Sequence, residues 1–439
     1  MKKFSRICLA LSVAAAIVIM TGIIAQQPMI WQPASVIAAV SLAVGLGSVE
    51  SMKGYRYTAW IIAAVVAGMT YPQAFLHWGN VNLRDKTLIL VIIQLVMFGM
   101  GTHMTLRDFK GFASTGKGVL IGLFCHFSVM PLMGLLLISV FHFEPEIAAG
   151  IILIGSCSSG LASNVMVYLA RANLVLSVIV TAMATLAAPF LTPLLMKLLA
   201  GTLVQVKFIE MMMEIIKIVL VPIGAALLHD FLKTATFSQK KKIHIISILS
   251  AVWILVMSVA LSGWTVKYFS GAGLQSINML SFFAGAVLAG VFYHQVYKRY
   301  PGIDKLMPYL SMFGIIYFTT VTTAAGRDNL LRVGFLLFIA SVIHNAAGYF
   351  FGYWLSRLFG MDKNSSRTIA FEVGLQNGGM ASGLAGAMGK LGTVGLAAAV
   401  FSPWMNISGS LLANYWRRRP VKEETSGAAI SVPVKIAEG

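Results

Sequence analysis

Glu372 lies in "RTIAFEVGLQNGG", well inside an apolar stretch, with no Lys or Arg within four residues of it; Arg367, five away, stands at the edge. A carboxylate at the centre of a membrane helix costs about 2.5–3.5 kcal/mol on insertion scales, so it needs a compensating partner. A sodium ion or a proton would supply one. The purely structural alternative is a protonated acid hydrogen-bonded inside a helix bundle. Hard cations take oxygen ligands, and the chain offers Ser163 and Asn164 in one stretch, then Ser177 and Thr181 four apart on one face of the next. A lone Ser or Thr in a membrane helix usually bonds back to its own backbone, so it is the set that carries weight.

Two glycine-rich interruptions frame these residues. "GSCSSGLASNVM" runs from Gly155 to Met166 and "GLQNGGMASGLA" from Gly374 to Ala385. They share Gly155/Gly374, Gly160/Gly379, Ala162/Ala381 and Ser163/Ser382, at an offset of 219 in a chain of 439 residues. Glycine lets a backbone leave helical geometry and lets another chain come close. Unwound backbone at membrane depth must be buried in protein or line a cavity. Small residues that merely let helices pack are the rival reading. Two interruptions in matching halves, each bearing Asn or Gln, favour broken helices that meet at the midplane, as in transporters with inverted repeats.

Elements that hold such a site must cross a bilayer. Hydrophobic residues make up 58% of the chain and charged residues 11%, against about 25% charged in soluble domains. Apolar runs near the ~20 residues of a membrane helix recur from end to end, without the alternation of barrel strands. The expected fold is therefore an all-α polytopic membrane protein. Spans are placed at 7–25, 33–49, 57–76, 87–102, 118–141, 146–170, 174–199, 209–229, 244–263, 277–297, 307–325, 333–356, 367–387 and 394–416. The interruptions then fall in spans 6 and 13. That odd separation makes the repeats inverted.

The net charge of +18 is about orientation. Across alternate loops, 24 of the 33 Lys and Arg fall on the side of the amino terminus and 8 on the other, with Lys217 inside a span. This positive-inside bias puts both termini in the cytoplasm, and no domain face gathers charge as a nucleic-acid binder would. The first span reads as a retained helix rather than a cleaved leader, since its apolar core is long for a signal peptide. The second, short and ending in Gly, Ser and Glu, reads as tilted or partly interfacial. Glu214 and Lys217 are spaced to pair on one helix face. Cys8, Cys125 and Cys157 stand alone in spans, with no disulfide frame. The histidines lack metal-ligand spacing, and residues 420–439 read as a disordered polar tail. An enzyme is the least supported class, since no nucleophile–base pair or H-E-x-x-H occurs.

"ASNVMVYLARANLVLSVIVT", "FEVGLQNGG" and "FSPWMNISGSLLA", with "VMFGMGTHMTLRDF" and "VIHNAAGYFFGYWL" in order, resemble the bile acid:sodium symporter family over roughly 57–231 and 307–416. The resemblance implies ten helices in two inverted five-helix repeats, a panel and a core domain, two crossing broken helices, and transport of an organic anion with two sodium ions. Carried over by matching position, a first sodium site would use Ser163, Asn164, Ser177, Thr181 and Glu372. A second would use Glu372 and Gln376 with backbone of Val373 and Leu375, and His126 where the family has Gln. The substrate cavity would take in Gly160, Leu161, Asn377, Gly378, Met405 and Asn406. His126 puts the second ion in doubt and opens a route for protons. The family's Pro-Gly-Gly-Thr turn reads Ser158-Ser159-Gly160-Leu161, and its His before Asn406 is Met405, so a bile acid is not implied.

The implied organisation is an extra amino-terminal hairpin (1–56), a first repeat (57–200), a second repeat (201–416) with a hairpin inserted near 244–297, and a tail (417–439). That makes about 14 spans, ten of the family core plus four, the added hairpins serving as scaffold or as a homo-oligomer contact. The expected protein is a sodium-coupled symporter of an organic anion in a bacterial inner membrane. It needs no cofactor beyond coupling sodium and has no nucleic-acid partner; its other partner is the lipid bilayer. Proton coupling through Glu372 and His126 is the runner-up, and a non-transporting membrane receptor on the same fold is the rival from another class.

Overall fold

Peptide groups in lipid must bond within their own segment, and this chain answers with helices almost throughout. The structure, a computed structural model, describes residues 2–49, 52, 56–110, 112–260 and 272–421. In order these are α1 (Lys2–Ile24), α2 (Pro28–Gly45), α3 (Arg56–Thr70), a ribbon of β1 (His77–Trp78) and β2 (Val81–Asn82), α4 (Lys86–Gly101), α5 (Leu106–Lys110), α6 (Phe112–Phe141), α7 (Pro145–Ser156), α8 (Leu161–Leu169) and α9 (Leu174–Ala200). Then follow α10 (Phe208–Ile215), α11 (Val221–Thr234), α12 (Phe237–Ala260), α13 (Ala272–Arg299), α14 (Met307–Ala325), α15 (Arg327–Leu358), α16 (Lys363–Gly374), α17 (Gly378–Ala387) and α18 (Val394–Arg417). The polar tail beyond residue 421 lies outside the described residues.

Among the described residues, 10 helices are long and apolar enough to span a membrane, with α10 and α11 counted as one. The shorter α3 and α4 and the two interrupted pairs, α7/α8 and α16/α17, account for the rest of the fourteen expected spans. The boundaries need correction. Span 57–76 ends at Thr70, where Pro72 opens a 3-10 turn. The second span runs from Pro28 to Ser48 and is full length. Large apolar side chains such as Leu198, Leu255, Phe292 and Phe335 stand exposed on outer faces, as lipid allows.

The two halves repeat their packing. α3 packs on α14 as α11 packs on α4, and α6 packs on α15. α7 meets α18 as α16 meets α9. Glu146 at the start of α7 takes Lys390 Nζ at 2.5 Å and Thr393 Oγ1 at 2.6 Å, tying that start to the α17–α18 turn. In the mirrored place, Asn173 of the α8–α9 turn bonds Thr368 and Ser365 at the start of α16. Around this frame the α1–α2 hairpin packs through α2 on α3, and the α12–α13 hairpin through α13 on α11.

Pro222 shapes the join of α10 and α11. Residues Ile216–Leu220 form a wide π turn in which Val221 N–H bonds Ile216 O. The carbonyl of Lys217 would then look to residue 222, which has no N–H. Gln94 Nε2 of α4 supplies the donor instead, at 3.1 Å. Lys217 itself pairs with Glu214 at 2.8 Å, the spacing read from the sequence.

Candidate functional site: a crossover around a buried acid

Both interrupted helices break at the glycine-rich strings. After Ser156 the backbone turns extended at Cys157 (φ −73°, ψ 165°) and stays so at Gly160 (φ −102°, ψ 160°) before α8 begins. After Gly374 it turns extended at Leu375 (φ −106°, ψ 101°), and Asn377 caps α17 by accepting from Met380 N. The two extended segments pair in an antiparallel bridge, Ser159 against Gln376. Gly160 N–H donates to Leu375 O at 3.2 Å and Asn377 N–H to Ser158 O at 2.8 Å. The backbones are close enough that a Cβ on Gly160 would sit 2.9 Å from Gln376 O. That contact explains glycine at 160, since contacts between carbon and oxygen stay beyond about 3 Å at ordinary van der Waals separation.

Glu372, on the last turn of α16, is wholly buried beside this crossover. Its Oε1 accepts from Ser177 Oγ at 2.5 Å and its Oε2 from Thr181 Oγ1 at 2.8 Å, both on α9. Asn164 Oδ1 on α8 lies 2.7 Å from Ser177 Oγ and 3.4 Å from Thr181 Oγ1. Ser163 Oγ bonds Gly160 O at 2.8 Å and lies 3.4 Å from Thr181 Oγ1 and 3.1 Å from Ser159 Oγ. So the five residues of the expected first sodium site converge, from α8, α9 and α16, on one small volume rich in oxygen. None of the ion pairs among the described residues includes Glu372. Arg367 turns away, its guanidinium over the Trp416 ring and its Nη2 on Arg419 O.

The expected second group also gathers here, but its polar atoms are mostly engaged with one another. His126 on α6 sets Nδ1 2.9 Å from Glu372 O and Nε2 2.8 Å from Cys157 O, bridging the ends of α7 and α16. Val373 O takes Gln376 Nε2 at 2.7 Å, and Leu375 O takes Gly160 N–H. Gln376 Oε1 alone is buried without a partner. Of the expected cavity residues, Gly160, Gly378, Met405 and Asn406 are buried; Asn377 is too, with its Nδ2 unpartnered. Asn406 Nδ2 bonds Ser402 O, and Leu161 is half-buried. None of these six lines the cavities of about 970, 420 and 300 Å³.

Sequence reasoning missed two contributors. Ser159 joins the oxygen cluster from the bridge itself. Asn345 on α15 donates its Nδ2 to Gly374 O at 2.8 Å and is held by Ser408, whose Oγ donates to Asn345 Oδ1 at 2.5 Å. His126 and Asn345 stand 219 residues apart, the offset between the motifs, and each lends one polar side chain to a carbonyl where a half-helix ends. That offset was the available signal. The acid has no such twin, because Leu153 holds the corresponding position.

The sequence profile of the Sodium Bile acid symporter family matches residues 89–271. A protein of Bacillus subtilis (strain 168) named "Uncharacterized sodium-dependent transporter YocS" is 32% identical over 384 residues, covering 87% of this chain and 97% of its own. The chain belongs to this family. Within it, similarity extends to the Arabidopsis thaliana "Probable sodium/metabolite cotransporter BASS1, chloroplastic", 28% identical over 84% of this chain and 74% of that one. It reaches the Homo sapiens "Ileal sodium/bile acid cotransporter" at 26%, over 72% and 74%.

Proposed function

We propose that this protein is a sodium-coupled symporter that carries an organic anion inward by alternating access. The observation behind this reading is the Glu372 cluster: a buried carboxylate ringed by Ser163, Asn164, Ser177 and Thr181, with no ion pair to it among the described residues. A sodium ion taken from outside would balance the charge and draw the α16 break toward α8 and α9. Fixing that crossover aligns the amino-terminal ends of α8 and α17, both of which start there. Helix amino termini favour anions. A cavity of about 300 Å³ lies beside the carboxyl-terminal half of α17, lined by Lys86 and by the paired Glu214 and Lys217. The names of the relatives, sodium-dependent transporter and sodium/bile acid cotransporter, agree with this class. The substrate class stays broad: bile-acid-like molecules, sterol sulfates or small carboxylates.

The core that moves comprises α6–α9 with α15–α18, and α3, α4, α10, α11 and α14 form the panel it rocks against. The boundaries at 57–200 and 201–416 divide two inverted repeats, and the hairpins at 1–56 and about 244–297 are additions outside them. Both termini face the cytoplasm of a bacterial inner membrane. The ion at Glu372 is the primary coupling site. In the second group His126, the carbonyls of Val373 and Leu375, and Gln376 Nε2 are engaged at the crossover, leaving Gln376 Oε1 as its one unpartnered oxygen, which favours one sodium per cycle over two.

Proton coupling is a second reading with its own support. Both His126 nitrogens face carbonyl oxygens, and a neutral imidazole has a single N–H to give. The deciding experiment is radiotracer uptake by purified protein in liposomes, screening bile acids, sterol sulfates and small carboxylates under sodium or pH gradients. A sodium gradient at uniform pH drives accumulation of at least one such anion, and Glu372→Gln removes the stimulation by sodium. Accumulation driven by pH alone would favour the second reading; binding without accumulation would favour a receptor.

A further inference from the structure

A groove of about 970 Å³ runs along the outer face between α15 and α18. Its walls follow α15 from Val342 to Trp354 and α18 from Trp404 to Trp416. At 1.5 Å per residue each wall is about 18 Å long, close to the ~15 Å of one leaflet of a ~30 Å hydrocarbon core. Aromatic rings dominate it, with Phe350, Trp354 and Tyr415 largely exposed. Such a face has to be covered by something apolar for most of its length.

One end is basic. Arg367 stacks 5.5 Å over Trp416 and donates to Arg419 O at 2.9 Å, while Arg419 stacks 4.2 Å over Tyr415 and bonds its hydroxyl. Arg357 and Arg417 close the last turns of α15 and α18 at the same end. None of these four makes an ion pair with a carboxylate among the described residues. Higher up, Trp404 lines the groove and its Nε1–H is buried without an acceptor.

We infer that this groove is a binding site for one anionic membrane phospholipid, an acyl chain along the aromatic wall and the phosphate at Arg367 and Arg419. The length matches one leaflet, the charge matches a phosphate, and basic pockets between membrane helices take anionic headgroups in this way. A second copy of the chain fits worse, because a two-fold contact on this face would set arginines against arginines. The occupant also bears on the crossover. Asn345 and Ser408 line the groove, and Asn345 holds Gly374 O.

Native mass spectrometry of the full chain, exchanged into micelles with equal phosphatidylglycerol and phosphatidylcholine, tests the site. Wild type retains one phosphatidylglycerol at least tenfold over phosphatidylcholine, and the preference falls as salt rises. Arg367→Gln and Arg419→Gln each lower it about fivefold, whereas Arg332→Gln, outside the groove, leaves it unchanged. Equal retention of the two lipids by wild type, which needs no variant to fold, would overturn the assignment. So would disulfide-linked dimers of Leu411→Cys in native membranes, since a second copy would then cover the face.

Discussion

Ser177 has one hydroxyl hydrogen and two acceptors, Glu372 Oε1 at 2.5 Å and Asn164 Oδ1 at 2.7 Å. Thr181 is in the same position between Glu372 Oε2 and Asn164 Oδ1. Oxygens outnumber the hydrogens that could tie them together, which is what a hard cation needs and a stable uncharged core avoids. Ser177→Ala and Thr181→Ala each remove one oxygen and leave the charge. Each is expected to raise the sodium concentration for half-maximal uptake about tenfold, roughly the 1.4 kcal/mol of one charge-assisted contact. Unchanged sodium dependence in both variants would count against their role as ligands. These residues were legible because an acid at membrane depth demands a partner and hydroxyls lie at helical spacing nearby. Asn345 was harder to see, since only its 219-residue offset from His126 points to it, and its role shows in the carbonyl it serves, 29 residues away, at 2.8 Å.

At the scale of elements, the glycines divide into two kinds. Gly160 lets two unwound segments touch. Gly348 and Gly352, in "GYFFG" of α15, are a packing seam against α16. A Cβ on Gly348 would lie 2.8 Å from Gly374 Cα, and one on Gly352 would lie 3.1 Å from Ala370 Cα. Small residues at this spacing let membrane helices approach closely. Gly348→Val is therefore expected to cost about 1–3 kcal/mol, the range for overpacking, seen as a clear fall in melting temperature in detergent. Gly334→Ala on the same helix meets only Leu330, at 3.7 Å and beyond, and should be neutral or slightly stabilising by helix propensity. Equal effects from both would undo the distinction. The sequence revealed that both strings were special and that they matched. It could not separate a break from a seam, because glycine serves both and only the partner backbone decides. The ribbon at 77–82 and the π turn at 216–220 likewise stayed hidden, the latter because it follows from one missing N–H at Pro222.

For the whole molecule, hydropathy and charge sufficed to give an all-helical membrane protein, since lipid imposes length and helicity on a crossing segment, and 10 helices among the described residues meet that length. The packing of the halves on each other was less accessible, although the 219-residue offset foretold its symmetry. The amino-terminal hairpin touches the rest chiefly through α2 on α3. A chain beginning at residue 50 is expected to keep sodium-driven uptake within about threefold of the full chain per folded molecule, and loss of sodium coupling would show the hairpin to be part of the machine. The central claim, a buried acid balanced by a cation at the crossover, is most directly tested by equilibrium binding of radioactive sodium to purified protein. Wild type should bind one sodium per chain saturably, and a folded, monodisperse Glu372→Gln protein should bind none. Equal binding by the two would contradict the account.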